Sequence, residues 1–233
     1  MKAGIFAAGL GTRLGGPTRG PKGLTKVAGR ALIDWVLEDL ERASAAELVI
    51  IINEQSLAIR DHVEARRSPV PIRWIVETTP SSMHSFVRVL ERLTRGGDAG
   101  PFLMSTVDTV APPGTFASFV DRAATFAGAD VVLGLTSSLD DERPFRIAVD
   151  DSGSVVAVGE GPYATAGYSW VRASVLREAD AAISDGLTAL RQFFARLFDH
   201  GFRFAGVPMP DSFDVDRDVD VAAAERLIRR GAL

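Results

Sequence analysis

Hydrophobic positions along the chain fall into short runs separated by stretches of helical spacing. Residues 2–7 read as a first strand, and Leu32, Ile33, Val36, Leu37 and Leu40 recur at one-, three- and four-residue intervals that place them on one face of a helix. Leu48 to Ile52 has no polar alternation, which predicts a strand covered on both faces. The pattern continues with a helix over 56–66, a strand over Ile72 to Val76, a helix over Ser82 to Leu93 and a strand from Pro101 to Thr106. Repeats of this kind build a largely parallel sheet with helices on its faces.

From Asp130 onward the pattern changes. Val131 to Leu135 is a predicted strand, and Ile147 to Val149 and Val155 to Val158 flank an Asp-Asp-Ser-Gly cluster suited to an antiparallel hairpin. Ala166 to Val171 reads as a further strand, Leu187 to Phe198 as a helix, Phe202 to Val207 as a strand and Val219 to Arg230 as a closing helix. The predicted fold class is α/β: a doubly wound, mixed but mostly parallel sheet with helices on both faces. A chain of 233 residues without a linker or repeat fits one domain.

Composition narrows the classes. With 46% hydrophobic and 24% charged residues the chain has the profile of a soluble globular protein. The absence of cysteine excludes a disulfide framework, a thiolate metal site and a cysteine nucleophile, so any metal must take oxygen or histidine ligands. A net charge of −4 argues against a surface for nucleic acid. No apolar run approaches the roughly 18 residues of a membrane span, and the expected location is the cytoplasm.

The chemistry concentrates after the first strand, in Ala7-Ala8-Gly9-Leu10-Gly11-Thr12-Arg13-Leu14, followed by Pro21-Lys22, Leu24, Val27 and Gly29. Glycines there let backbone N–H groups close on an anion, because a Cβ would obstruct the approach. Arg13 and Lys22 add positive charge that suits a polyphosphate. A glycine-rich turn taken alone is as readily just a turn. A second candidate is Asp108, just past the strand ending at Thr106, at the edge where α/β sheets bind ligands. A carboxylate there suits Mg2+, which takes one or two carboxylates together with phosphate oxygens, and equally suits a helix cap or turn.

Residues 7–14 and 21–33 resemble the two-part signature of the sugar-phosphate nucleotidyltransferase family, A-A-G-x-G-T-R-L and then P-K-x-L-x-x-V-x-G before a helix with L-I. The family has a Rossmann-like fold of the kind shared with GT-A glycosyltransferases, and the chain resembles its cytidylyltransferase or MobA-like branches. The resemblance implies that Ala8, Gly9, Gly11, Thr12 and Arg13 hold the nucleotide, that Lys22 contacts its phosphates, and that Arg13 and Lys22 stabilise the transition state. It places a nucleotide-binding half at 1–110 and an acceptor-binding half at 111–233. The family's late metal-binding segment resembles the run Phe213 to Val221, which implies that Asp216, or else Asp214, joins Asp108 on Mg2+. Asp218 in that run reads as an N-cap, and Asp220 favours the helix N-terminus through its dipole.

Two segments depart from the family. Where its base-reading loop belongs the chain has Glu77 to Phe86, without the usual glycine. Glu77 could accept from guanine, whereas Ser81 and Ser82 suit cytosine, and CTP is favoured over UTP, GTP or dTTP. His84 reads as a helix-surface residue. The family's E-K-P appears as Glu160-Gly161-Pro162, so the lysine that approaches the acceptor phosphate is missing; Arg143 or Arg146 could replace it. Glu160 and Tyr168, with Trp170, are candidate acceptor contacts, although aromatic residues on a strand are as readily core. The expectation is an Mg2+-dependent transfer from an NTP to a small phosphorylated acceptor such as a sugar 1-phosphate, polyol phosphate or phosphocholine, by a monomer or homodimer. A non-catalytic nucleotide-binding regulator and a GT-A glycosyltransferase are the rival readings.

Overall fold

A computed structural model describes residues 1–9, 20–138, 144–210 and 212–231. In chain order its first half contains β1 (Lys2–Ala7), β2 (Lys26–Val27), β3 (Arg30–Ala31), α1 (Leu32–Arg42), β4 (Glu47–Ile52), α2 (Leu57–Arg66), β5 (Ile72–Val76), α3 (Ser82–Leu93), β6 (Phe102–Thr106) and β7 (Thr109–Val110). The second half contains α4 (Thr115–Ala123), β8 (Val131–Thr136), β9 (Arg146–Val149), β10 (Val155–Val158), β11 (Tyr163–Val171), α5 (Ala179–Ser184), α6 (Leu190–Asp199), β12 (Phe204–Pro208), β13 (Phe213–Asp214) and α7 (Asp218–Gly231).

The main sheet runs β10-β9-β11-β6-β1-β4-β5, with β8 beside β11 and β12 beside β8. β1 pairs in parallel with β4 and β6, and β4 in parallel with β5, as the apolar runs imply. All five residues from Leu48 to Ile52 are fully buried, because helices cover both faces of that strand. β11 turns the sheet antiparallel: it pairs with β6, β8 and β9, and it begins at Tyr163, three residues ahead of the apolar run. The expected hairpin is present as β9 and β10.

Two apolar layers flank the sheet. On one face the stripe of α1 packs with Ile5, Leu48, Ile50, Phe116 and Phe119; on the other Phe86 of α3 packs with Val49, Ile51, Phe102, Met104 and Phe193 of α6. α4 has a glycine at its N-cap and no cap of its own, and Asp39 of α1 takes that part by accepting from Gly114 N at 2.5 Å and Phe116 N at 2.8 Å. Among the described residues no helix is long and apolar enough to cross a membrane.

Candidate nucleotide-binding site

The parallel strands β1 and β6 end at the same edge of the sheet, and each delivers a site segment there. Ala8 and Gly9 continue from β1, and Asp108 lies two residues beyond β6. Lys22 opens a single 3-10 turn, Lys22–Leu24, packed so closely that a Cβ on Gly23 would lie 3.0 Å from Ile59. The carboxylate run comes from the far end of the chain: β13 pairs with β7, and Val215 N donates to the carbonyl of Asp108 at 3.0 Å. This small ladder carries Asp214 and Asp216 to Asp108.

The Lys22 ammonium sits between two carboxylates. Nζ donates to Asp108 Oδ2, and to Asp216 Oδ1 at 2.5 Å. Burial opposes the charge of each buried group, but their attraction prevails: the lysine is held above its ordinary pKa and Asp108 below the usual aspartate value. The other Asp108 oxygen, Oδ1, is buried without a hydrogen-bond partner. Such an orphaned acceptor beside a second carboxylate suits a hard cation. Among the described residues no group of three or more His, Cys, Asp or Glu is placed to hold a metal, so any cation here would draw most of its ligands from substrate and water.

Asp214 is fixed differently. Thr106 and Thr109 hydroxyls meet at 2.8 Å, and Thr109 Oγ1 donates to Asp214 Oδ1 at 2.9 Å. Desolvation, and then the negative charge of Asp108, push the Asp214 carboxyl up to about 7. Solvent reaches this exposed residue and moderates both effects. Gly167 makes room for the network: its φ is +80°, and a Cβ there would lie 2.1 Å from Thr109 Oγ1 and 2.8 Å from Asp214 Oδ1.

These groups open onto a cleft of about 540 Å3 whose wall includes Gly9, Lys22, Ser81, Ser82, Asp108 and Asp216. A second hollow of about 280 Å3 adjoins it; Phe6, Ser82 and Thr106 line both. Ser81 caps α3, with its hydroxyl 2.8 Å from His84 Nδ1, so His84 is occupied in the cap. Asn53, which no motif marks, is buried at the end of β4 and holds the loop: Nδ2 donates to the carbonyl of Ala8 at 2.9 Å. A polar residue closing an otherwise apolar run was its only signal.

Ala8, Gly9, Lys22, Ser82, Asp108 and Asp216 thus meet at the cleft, and Asp214 faces the adjoining hollow. Gly11, Thr12, Arg13 and Arg143 lie outside the described residues. Three expected contacts, Glu77, Glu160 and Arg146, are placed elsewhere. The Glu77 carboxylate is taken by Arg88 Nε at 3.0 Å and does not line the cleft. Glu160 is exposed in the turn before β11, and Arg146 Nε donates to the carbonyl of Gly161 at 2.8 Å; neither residue lines either cavity. Tyr168 lines the adjoining hollow, but its ring is buried between Phe116 and Phe119, with both centroids 5.0 Å away, because alternation along β11 sends the side chain to the face opposite Gly167 and Ser169. Asp220 acts on the carboxylate run itself, accepting from Asp216 N at 3.1 Å and Arg217 N at 2.7 Å.

A mixed α/β sheet with a glycine after its first strand, and a lysine and carboxylates gathered at its carboxyl edge, places these groups where α/β proteins bind their ligands. Residues 3–199 match the MobA-like NTP transferase domain, and the chain belongs to that family. It is 28% identical, over 97% of its length, to CMP-5'-(3-aminopropyl)phosphonate synthase of Streptomyces rubellomurinus, and 29% identical, over 67%, to the bifunctional protein GlmU of Psychrobacter cryohalolentis. The chain spans 38% and 32% of the lengths of these two relatives. Among solved structures it resembles a protein from Bacillus anthracis described as a glucose-1-phosphate thymidylyltransferase, with TM-score 0.81, 17% identity and coverage of 98% of this chain and 95% of the other. It also resembles the inositol-1-phosphate CTP transferase of T. maritima, with TM-score 0.79, 17% identity and coverage of 99% and 96%. At that identity the likeness establishes the shared fold.

Proposed function

We propose that the chain transfers a nucleotidyl group from a nucleoside triphosphate, CTP in preference to others, to a small acceptor carrying a phosphate or phosphonate. The observation that carries this reading is Lys22 standing between Asp108 and Asp216 at the carboxyl edge of β1 and β6, with one buried oxygen of Asp108 unpartnered. An acceptor oxygen forms a bond to the α-phosphorus, the bond from that phosphorus to the α,β-bridging oxygen breaks, and pyrophosphate leaves with the electron pair. Little is required of the protein beyond alignment and charge. Lys22 moves from the carboxylates to the phosphates and stabilises the charge that grows there. Gly9 and the backbone after β1 accommodate the triphosphate closely. Mg2+ held by Asp108 and Asp216, with Asp214 beside them, would supply the neutralising charge for the triphosphate.

The preference for CTP is supported by the wall of the cleft, where Thr79, Ser81, Ser82 and Ser85 offer hydroxyls, while Glu77, the acceptor suited to guanine, is paired to Arg88. The names of two similar proteins, a CMP-phosphonate synthase and a CTP transferase, point the same way. Pyrophosphate release with each NTP against a panel of phosphates and phosphonates is the test. We expect turnover to require both substrates and divalent cation, to be highest with CTP, and to fall about 10²–10³-fold in Lys22→Ala. Full activity in that variant, or binding without pyrophosphate release across the whole panel, would overturn the reading.

A further inference from the structure

We propose that Arg191, in the first turn of α6, supplies the cation that meets the tetrahedral phosphorus oxyanion of the acceptor. The proposal rests on the reading above and deepens it by naming where the acceptor's phosphate or phosphonate is held.

The turn before β11 cannot provide that cation at position 161. Gly161 has φ +128°, and a Cβ there would lie 2.3 Å from both the carbonyl carbon and oxygen of Ile147. A lysine at 161 is therefore excluded by backbone, which does not yield as a side chain would. Arg146, the nearby cation on β9, is bound to the Gly161 carbonyl at the exposed end of the sheet.

The hollow beside the nucleotide cleft offers an alternative. Its floor is the β6–β8–β11 face, where Thr106, Thr165 and Ser169 present hydroxyls, and the start of α6 lies over it. Among the described residues two charged ones line it, Asp214 and Arg191. Asp214 offers no positive charge, and among these described residues Arg191 is the group able to bind an oxyanion. Among the described residues the exposed Arg191 guanidinium has neither hydrogen bond nor ion pair, and its backbone N–H, in the first turn of α6, meets no acceptor outside its own helix. A cation in the first turn opposes the helix dipole, so an arginine there gains nothing from its own helix. An incoming oxyanion reverses this, because it meets the guanidinium, the free amide and the positive helix end together.

The position also suits the reaction. Leu190 N donates to Ser82 Oγ at 3.1 Å, and Ser82 lines both cavities. Arg191 is thus one residue from the boundary across which the acceptor must reach the α-phosphorus.

Inorganic phosphate titrated against the protein and followed by 31P line broadening tests binding without turnover. We expect saturable binding in the wild type, a dissociation constant raised about tenfold or more in Arg191→Ala, and an intermediate value in Arg191→Lys, which keeps the charge but loses the fork. In steady state, Arg191→Ala should raise KM for the acceptor by a similar factor and leave KM for the nucleotide within about twofold, with thermal unfolding of each variant checking the fold. Equal phosphate binding in wild type and Arg191→Ala, absent binding in the wild type, or equal rises in both KM values would overturn the proposal. If no NTP and acceptor pair releases pyrophosphate while phosphate binding still depends on Arg191, the transferase reading fails and the anion site stands.

Discussion

Removing the Lys22 side chain would leave Asp108 and Asp216 facing one another without the ammonium that separates them. The effect on stability follows from the two shifted pKa values. Asp108 is held below the usual aspartate range, so its contribution is present above about pH 4 and is lost as pH falls through its folded value. Lys22 is held above its ordinary value, so its contribution is present below about pH 10 and is lost as pH rises through its folded value. Without Lys22, burial is the largest influence left on Asp108; it favours the neutral form against the weaker pull of the Thr106 hydroxyl and a backbone amide. The stability lost in Lys22→Ala should therefore be largest near neutrality and shrink as pH approaches 4, a difference that urea midpoints at pH 4 and pH 7 would register. A gap that stays constant with pH would mean that the pair carries no net electrostatic stabilisation. Much of this residue-level picture was legible: Lys22, Asp108 and Asp216 sit in or near recognisable motifs. Arg191 was not, because one arginine in an amphipathic helix reads as solvated surface until the fold sets it over a hollow.

At the scale of elements, α4 depends on a side chain from α1. Asp39 is buried, and burial pushes its carboxyl up while the amides of Phe116 and Gly114 partly restore the charged form. Asp39→Ala would leave two N–H groups at the start of α4 without acceptors and should cost about 1–3 kcal/mol, measurable by chemical unfolding. A cost near zero would indicate that water reaches the helix end. Continuous apolar runs made β1, β4 and β6 easy to place. The first residues of β11 escaped notice because Tyr163 to Thr165 pairs at the hairpin end with β8 and β9, where the apolar signal is weaker. The β7–β13 ladder is two residues long on each side and has no periodicity to detect. Strand alternation does explain Tyr168: once Gly167 is assigned to the site face, its neighbour must point away.

For the molecule as a whole, β11 joins the parallel half of the sheet to the antiparallel half, and Gly167 is the point on it where the site is closed. Gly167→Ala would place a methyl group against Thr109 and Asp214 at a positive φ, costing about 1–2 kcal/mol in backbone conformation before the collision is counted. We expect a lower thermal midpoint together with reduced turnover; unchanged values for both would show that the hydroxyl and carboxylate network does not set the site. The lysine between two carboxylates has a consequence at this scale too. The resting protein carries its own counter-ion, so neither carboxylate waits on the medium for neutralisation, and the integrity of the fold is decoupled from the supply of its ligands.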